Sequence, residues 1–364
     1  MPRYQGIGMK VGNGTILVIP ALALGLVLSV AVSDRRPAAS KKPAEQAANR
    51  EAAHELVSSI GMKLIRIPAG EFFMGSTEPV EQVLRDFVAH NREADEFMEE
   101  YPRHRVRITK SFFIGKFEVT VGQYRQFVED SGYQTEPETD GTGGWGFNPK
   151  LRKCEGRKSH FNWHNTGFQQ SDEHPVVNVT WTDSVKFCEW LSRKDGATYR
   201  LPTEAEWEYC CRAGTTTRYH NGNDPSMLKK VGRVNDPKGR TRFPAIQNLE
   251  IFEVAPNSFT VPVGRFQPNA FGLYDMHGNT WEWCSDWLAE DYYTRSPVDD
   301  PQGPDAPPNP EDGVRVRRGG GWNSFPLWVR ASVRNFNTPN SRVVNLGFRV
   351  VREIRDSNLG PAHQ

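Results

Sequence analysis

RLPTEAEWEYCCRAG, residues 200–214, is the stretch from which the rest of the chain can be parsed. Thr203 can take the amide of Glu206 on its hydroxyl, and the Glu206 carboxylate can reach back to the Thr203 amide. That reciprocal box opens a helix, and Gly214 supplies the left-handed stop at its other end. The result is a short, sharply bounded helix, and both flanks alternate extended and irregular segments in the same way. Upstream, HPVVNVTW (174–181) predicts a strand, followed by a helix with Val185, Cys188 and Leu191 on its inner face. Downstream, 215–260 has no periodicity. VPVGRF (261–266), NAFGLYDMHGNTWEWCSDW (269–287), a proline-rich loop at 301–310 and strands around 314–322 and 345–353 then complete the chain.

Farther upstream, MKLIRIPAGEFFM (62–74) predicts a hairpin turning at Pro68–Gly70. Residues 78–101 carry Val80, Val83, Leu84, Phe87 and Val88 at helical spacing on a charged background. HRVRITKSFFIGKFEVT (104–120) reads as two short strands. Thr120 and Gln123 form a second capping box before a helix that presents Tyr124, Phe127 and Val128 on one face. Residues 136–174 are rich in Gly, Asn, His and Trp and predict a long surface loop. Strands interrupted by few helices and long loops make a single α+β domain with much irregular structure.

Composition agrees. The chain has 364 residues with 32 Gly and 26 Pro, which signals abundant turn structure, and 10 Trp among 11% aromatics, ample for a core. With 45 Lys and Arg against 44 Asp and Glu there is no global field to hold a polyanion, which argues against nucleic acid as a partner. No repeat at solenoid or propeller periods is present.

The N-terminus carries a compartment signal. TILVIPALALGLVLSVAV (15–32) is uncharged, follows Arg3 and Lys10, and would span about 27 Å as a helix. It is either a signal peptide or a membrane anchor, with small residues Ser29, Ala31 and Ser33 at a possible cleavage region. We therefore expect export, with residues 1–33 as signal or anchor, 34–56 as a polar linker, 57–354 as the domain and 355–364 as a tail. Five cysteines, at 154, 188, 210, 211 and 284, fit no zinc spacing and can form at most two disulfides.

Chemistry is sparse. Asp275 and Glu282 flank a turn at His277–Asn279, so two carboxylates and the intervening Gly278 and Thr280 carbonyls could converge as an all-oxygen site of the kind calcium takes. The alternative is a solvated turn. His160 and His164 stand four apart but not in a convincing helix. No serine sits in a GxSxG elbow and no glycine run matches a phosphate loop. The glycines of RRGGGW (317–322) fit close backbone approach beside a strand better than a phosphate cradle.

Taken together, IGMKLIRIPAGEFFMGS (60–76), HRVRITKSFFIGKFEVTVGQYRQF (104–127), HPVVNVTW, RLPTEAEWEYCCRAG, NAFGLYDMHGNTWEW and RRGGGW…NTPNSRVVNLGFRV (337–350) resemble the formylglycine-generating enzyme, or sulfatase-modifying factor, family. The resemblance covers roughly residues 58–353 and implies a C-type-lectin-like fold. Family enzymes oxidise a cysteine of nascent sulfatases to formylglycine with O₂ and copper held by two thiolates, soft ligands suited to Cu(I). Those cysteines follow a GGS motif. Here Gly321 stands in place of the serine, Ser324 in place of the first cysteine, and Val329 at or near the second. No cysteine follows Cys284 at all, so the resemblance argues against copper in this chain.

The resemblance also implies a calcium site at Asp275, Gly278, Thr280 and Glu282, and a second one reaching Asn235 whose other half is not recognisable. Cys188 and Cys211 match family disulfide positions whose partners are missing, at Val350 and around Ala331, so both are expected as free thiols. The expected function is that of a pseudoenzyme: an exported family member binding a peptide, glycan or protein ligand, a sulfatase among the possibilities. Its cleft would be lined by Trp322, Asn323, Trp328, Arg330 and Arg334, residues suited to stacking and to carboxylate or sulfate recognition. Core packing and surface charge are the competing roles for those five. The alternatives are a formylglycine-generating oxidase using other ligands, or a different oxidase on the same scaffold.

Overall fold

The computed structural model describes residues 55–88, 92–235 and 259–354. The apolar run at 15–32, nearly all of the linker and the tail lie outside them. Among the described residues no helix is long and apolar enough to cross a membrane.

The described residues begin with β1 (Glu55–Val57), which includes the last two residues of the expected linker. β2 (Lys63–Ile67) and β3 (Gly70–Met74) follow, but they do not form the predicted hairpin. β2 pairs with β1, while β3 pairs with β4 (His104–Ile108). Between them the helical pattern of 78–101 divides into α1 (Val80–Asp86) and a 3-10 turn at Ala94–Glu100. β5 (Phe112–Gly115) returns to β2 and leads into α2 (Val121–Ser131), where Thr120 and Gln123 make the predicted capping box.

The predicted surface loop at 136–174 is instead structured. It holds α3 (Glu136–Thr139) and the paired strands β6 (Gly144–Asn148) and β7 (Lys153–Lys158), and it buries Phe161 and Trp163. HPVVNVTW is extended and buried at Val176, Val177 and Val179 but joins no ladder. Its valines fill core, and its backbone pairing includes an isolated bridge at Pro175 and a bond from the Val176 amide to the Val119 carbonyl at 2.9 Å.

Next come α4 (Trp181–Asp195), β8 (Tyr199–Arg200) and α5 (Glu204–Arg212). In α5 the Thr203 hydroxyl accepts from the Glu206 amide, and Ala213, just before Gly214, adopts the left-handed stop. β9 (Trp281–Trp287), β10 (Arg315–Arg318), β11 (Asn335–Asn337), β12 (Leu346–Gly347) and β13 (Val351–Glu353) close the domain. One sheet has the order β1-β2-β5-β13-β8; the other runs β11-β10-β9-β12, with β11 at its edge.

β2 is buried on both faces, which shows how the core is divided. Leu64 faces a cluster with Tyr124, Phe127, Phe187 and Phe348, while Ile65 and Ile67 face one with Trp207, Cys211, Cys284 and Val316. All five cysteines are buried and free. Burial raises their thiol pKa values, to about 12 for Cys154 and Cys211, so they stay neutral.

Candidate functional site

The segment after β10 turns on glycine. Gly319 and Gly320 hold φ of 94° and 80°. At Gly320 a Cβ would come within 2.3 Å of Val329 Cγ1, so the turn seats directly on that side chain. At Gly321 a Cβ would meet Asn345 Cβ at 3.0 Å and its carbonyl at 3.2 Å, which leaves little room for a serine. Ser324 caps the turn: its Oγ accepts from the Gly321 amide at 2.9 Å and is buried. Val329 is fully buried against Tyr219, Leu228 and Val231. Ser324 also reaches the cleft lining, but none of these three residues carries a thiol or another redox-active group.

Arginines hold the loop in place. Arg318, fully buried, donates to Glu208 and to the carbonyls of Ala331 (2.8 Å) and Ser332 (3.1 Å). Arg330 forms a two-point pair with Glu100 at 2.9 and 2.6 Å, and Arg334 one with Glu204 at 2.8 and 2.7 Å. Each is a buried guanidinium fork on a carboxylate, the geometry in which arginine bonds most strongly.

Beside this loop lies a cleft of about 560 Å³. Of the five residues expected to line it, Asn323, Trp328 and Arg334 do, whereas Trp322 and Arg330 do not. Trp322 is buried, with Nε1 donating to the Val344 carbonyl and its ring edge-on to Phe259. Trp328 is already partnered, stacked on Phe97 at 5.6 Å with the Arg92 guanidinium 5.3 Å from its ring. Arg334 reaches the cleft wall, but its charge is balanced by Glu204. Sequence reasoning missed Arg317, Asn337 and Asn345, which also line the cleft. The period of β10 carried the signal for Arg317: Val316 and Arg318 point into the core, so Arg317 between them must point away.

The lining also takes Asp95, Glu96 and Glu99 from the 3-10 turn, with Glu96 paired to Arg92 at 2.9 Å. Burial pushes the Glu99 carboxyl up to about 7 against the attraction of Arg334. No cysteine or histidine is among the cleft's lining residues, so the described residues there do not fit a thiolate-held copper ion.

The turn at Asp275–Glu282 forms a separate buried cluster. Glu282 accepts from Arg349 Nε at 2.5 Å, Arg349 Nη2 at 2.6 Å and Trp207 Nε1 at 2.7 Å. Asp275 Oδ2 accepts from the Gly264 amide at 2.8 Å, while Asp275 Oδ1, Thr280 Oγ1 and Glu118 Oε2 have no protein partner. Gly278 is in the left-handed region, with its amide donating to the Gly319 carbonyl. Burial, then the charges of Asp275 and Glu282, raise the Glu118 pKa strongly, and a protonated Glu118 can share its hydrogen with Asp275. Both Glu282 oxygens are engaged and the cluster already contains a cation in Arg349. Among the described residues no group of three acids, histidines or cysteines is arranged around a metal position, and Glu282, one of the expected calcium ligands, is occupied by Arg349 and Trp207.

His277 is fully buried. Its Nδ1 donates to the Val329 carbonyl at 2.7 Å and its Nε2 accepts from the His220 amide at 3.0 Å, which fixes one neutral tautomer. The ring serves as a brace between the catalytic-position loop and residue 220. His160 and His164 lie in turns rather than on a shared helix face.

A mixed α and β scaffold of this kind is shared with PvdO from Pseudomonas aeruginosa, which superposes with a TM-score of 0.62 at 26% identity over 84% of this chain and 99% of that one. The family model for the sulfatase-modifying factor enzyme 1-like domain matches residues 51–354. The protein is 32% identical to the formylglycine-generating enzyme of Streptomyces coelicolor, over 89% of this chain and 97% of that protein. It is 31% identical to the mouse protein named inactive C-alpha-formylglycine-generating enzyme 2, over 79% of this chain and 84% of that one. The chain belongs to the sulfatase-modifying factor family.

Proposed function

We propose that this protein is an exported, non-oxidising member of its family that binds a peptide, glycan or protein ligand in the cleft beside residues 319–329. One observation carries the reading: the three positions where the family resemblance expects a serine and two thiolates hold Gly321, Ser324 and Val329, each committed to packing or turn formation. Without soft ligands the segment has no means to hold Cu(I). The similarity to a mouse relative named as inactive is in keeping with it. Export rests on the uncharged run at 15–32.

The test offers the purified protein Cu(I), O₂ and a peptide containing CxPxR, and follows peptide mass. The expected result is no formylglycine at any copper concentration. Product formed above the protein-free rate would establish the oxidase reading instead, which the similarity to the Streptomyces enzyme supports.

A further inference from the structure

The arginines around the cleft differ in one respect. Arg318, Arg330, Arg334 and Arg342 each pair with a carboxylate, on Glu208, Glu100, Glu204 and Asp140. Among the arginines of the cleft lining, Arg157 and Arg317 have no carboxylate partner among the described residues; Arg157 is exposed, with one long contact to the Asn340 carbonyl at 3.4 Å, whereas Arg317 is half-buried. Its Nε donates to Asn335 Oδ1 at 3.0 Å and its guanidinium lies 4.7 Å from the Trp281 ring centroid. Those contacts fix the plane of the group and leave Nη1 and Nη2 without a protein acceptor, in the wall of the cleft. Arg315 also lacks an acid, but it is clasped between Trp181 and Trp287 at 3.9 and 3.4 Å and is not part of the cleft. Burial without a counter-charge is costly for a cation, and it lowers the Arg317 pKa to about 9.

A second observation is independent of charge. Asn345, only 4% exposed, gives its Nδ2 to Asn323 Oδ1 at 2.8 Å, and its own Oδ1 has no donor. Asn337 gives its Nδ2 to Ser341 Oγ at 3.1 Å, and its Oδ1 is likewise buried without a donor. Both residues line the same cleft as Arg317. Buried polar atoms without partners are rare and costly in folded proteins. Two acceptors beside a half-buried, unmatched fork describe a ligand by its complement.

We propose that Arg317 is the ligand anchor of the cleft, and that the ligand presents it an oxyanion, carboxylate or sulfate, flanked by N–H or O–H groups for Asn337 and Asn345. With Nε held by Asn335, the free Nη1 and Nη2 make an end-on fork matched to two oxygens of one group. The Asp95, Glu96 and Glu99 carboxyls in the same lining disfavour an oxyanion placed beside them. This inference rests on the cleft being a binding site, as proposed above.

The experiment measures binding by calorimetry for pairs of probes matched in shape and differing in charge: N-acetylglycine with N-acetylglycinamide, and D-glucuronate with D-glucose. Sodium sulfate is a third arm that separates sulfate from carboxylate recognition. At least one oxyanion is expected to bind about tenfold or more tightly than its neutral counterpart or, for sulfate, than chloride, since a charge-assisted fork contributes that much. Arg317→Gln should abolish the difference, and Arg317→Lys should keep part of it, because lysine supplies charge without the fork. Arg317 has no ion pair to lose, so both variants should keep the parent melting temperature; if the first does not fold, the second carries the test. Equal binding of charged and neutral partners, no oxyanion binding at all, or an unchanged preference in Arg317→Gln would each overturn the proposal. Formylglycine formation would instead sink the non-oxidase reading, so the two failures are distinguishable.

Discussion

Glu282→Gln probes whether the Asp275–Glu282 turn is held by an internal ion pair or by a metal. In the parent, Glu282 and Arg349 are both fully buried and joined by contacts of 2.5 and 2.6 Å. Removing one charge of such a pair costs about 3–5 kcal/mol, because the other is left buried without compensation. Arg349 would retain the Gly115 carbonyl at 3.0 Å and the Tyr274 carbonyl at 3.1 Å. The lower end, about 3 kcal/mol, is therefore expected. The assay is urea denaturation at neutral pH, run with chelator and again with millimolar calcium. The parent and the variant should differ by the same amount in both, and calcium should stabilise neither. Glu282→Leu combined with Arg349→Met should be less destabilised than the sum of the two single changes, because the two charges leave together. A loss below about 1 kcal/mol would refute the ion-pair account, as would a loss that appears only with calcium present.

Tyr124→Phe should be neutral or stabilising by up to about 1 kcal/mol, read from the melting temperature, because the buried Tyr124 hydroxyl has no partner. Thr203→Ala should cost about 1–2 kcal/mol in denaturant titration by removing the cap on α5. Gly320→Ala should cost more than about 2 kcal/mol in the same titration, since it places a Cβ against Val329 at a left-handed backbone position. Stability should also rise as pH falls from 8 to 5.5. Burial raises Glu99 and Asp286 each to about 7, with Glu204 adding repulsion at both and Arg334 opposing it. Protonation then favours the folded state below pH 7, and the gain is complete near the ordinary carboxylate range; each group's share falls by at most about 1.4 kcal/mol per pH unit across that window and is lost above it. A flat or rising melting temperature between pH 5.5 and 8 would contradict this.

Local chemistry in the sequence specified what local chemistry can specify. The capping boxes at Thr120 and Thr203 close as read, because donor and acceptor lie three residues apart. Pairing partners were not legible: the alternation in 62–74 marks both strands, yet β2 takes β1 and β5 while β3 takes β4, partners that lie outside the segment. The same limit governs the cleft. Arg330 and Arg334 read as ligand residues, but the acids that neutralise them are 230 and 130 positions away. No spacing rule reaches that far. Residues 136–174 misled for a related reason, since their glycines and aromatics serve packing and a hairpin rather than solvent.

The same long-range pairs explain how the cleft can persist without the residues that would make it oxidising. Arg318 ties the glycine turn to Glu208 on α5, Arg334 ties the following segment to Glu204 on the same helix, and Arg330 ties it to Glu100. His277 adds a brace through the Val329 carbonyl. None of these contacts uses the side chain at 321, 324 or 329 as a metal ligand, so the loop's shape does not depend on copper chemistry. Conversely, Arg317, Asn337 and Asn345 bring together in the cleft wall polar atoms that no contact among the described residues satisfies. Other unpartnered atoms, such as the Tyr124 hydroxyl, lie in the core away from the cleft, whereas these three residues share one wall that a single ligand can reach, which is why charge selectivity at Arg317 is the sharper question to ask of this chain than residual oxidase turnover.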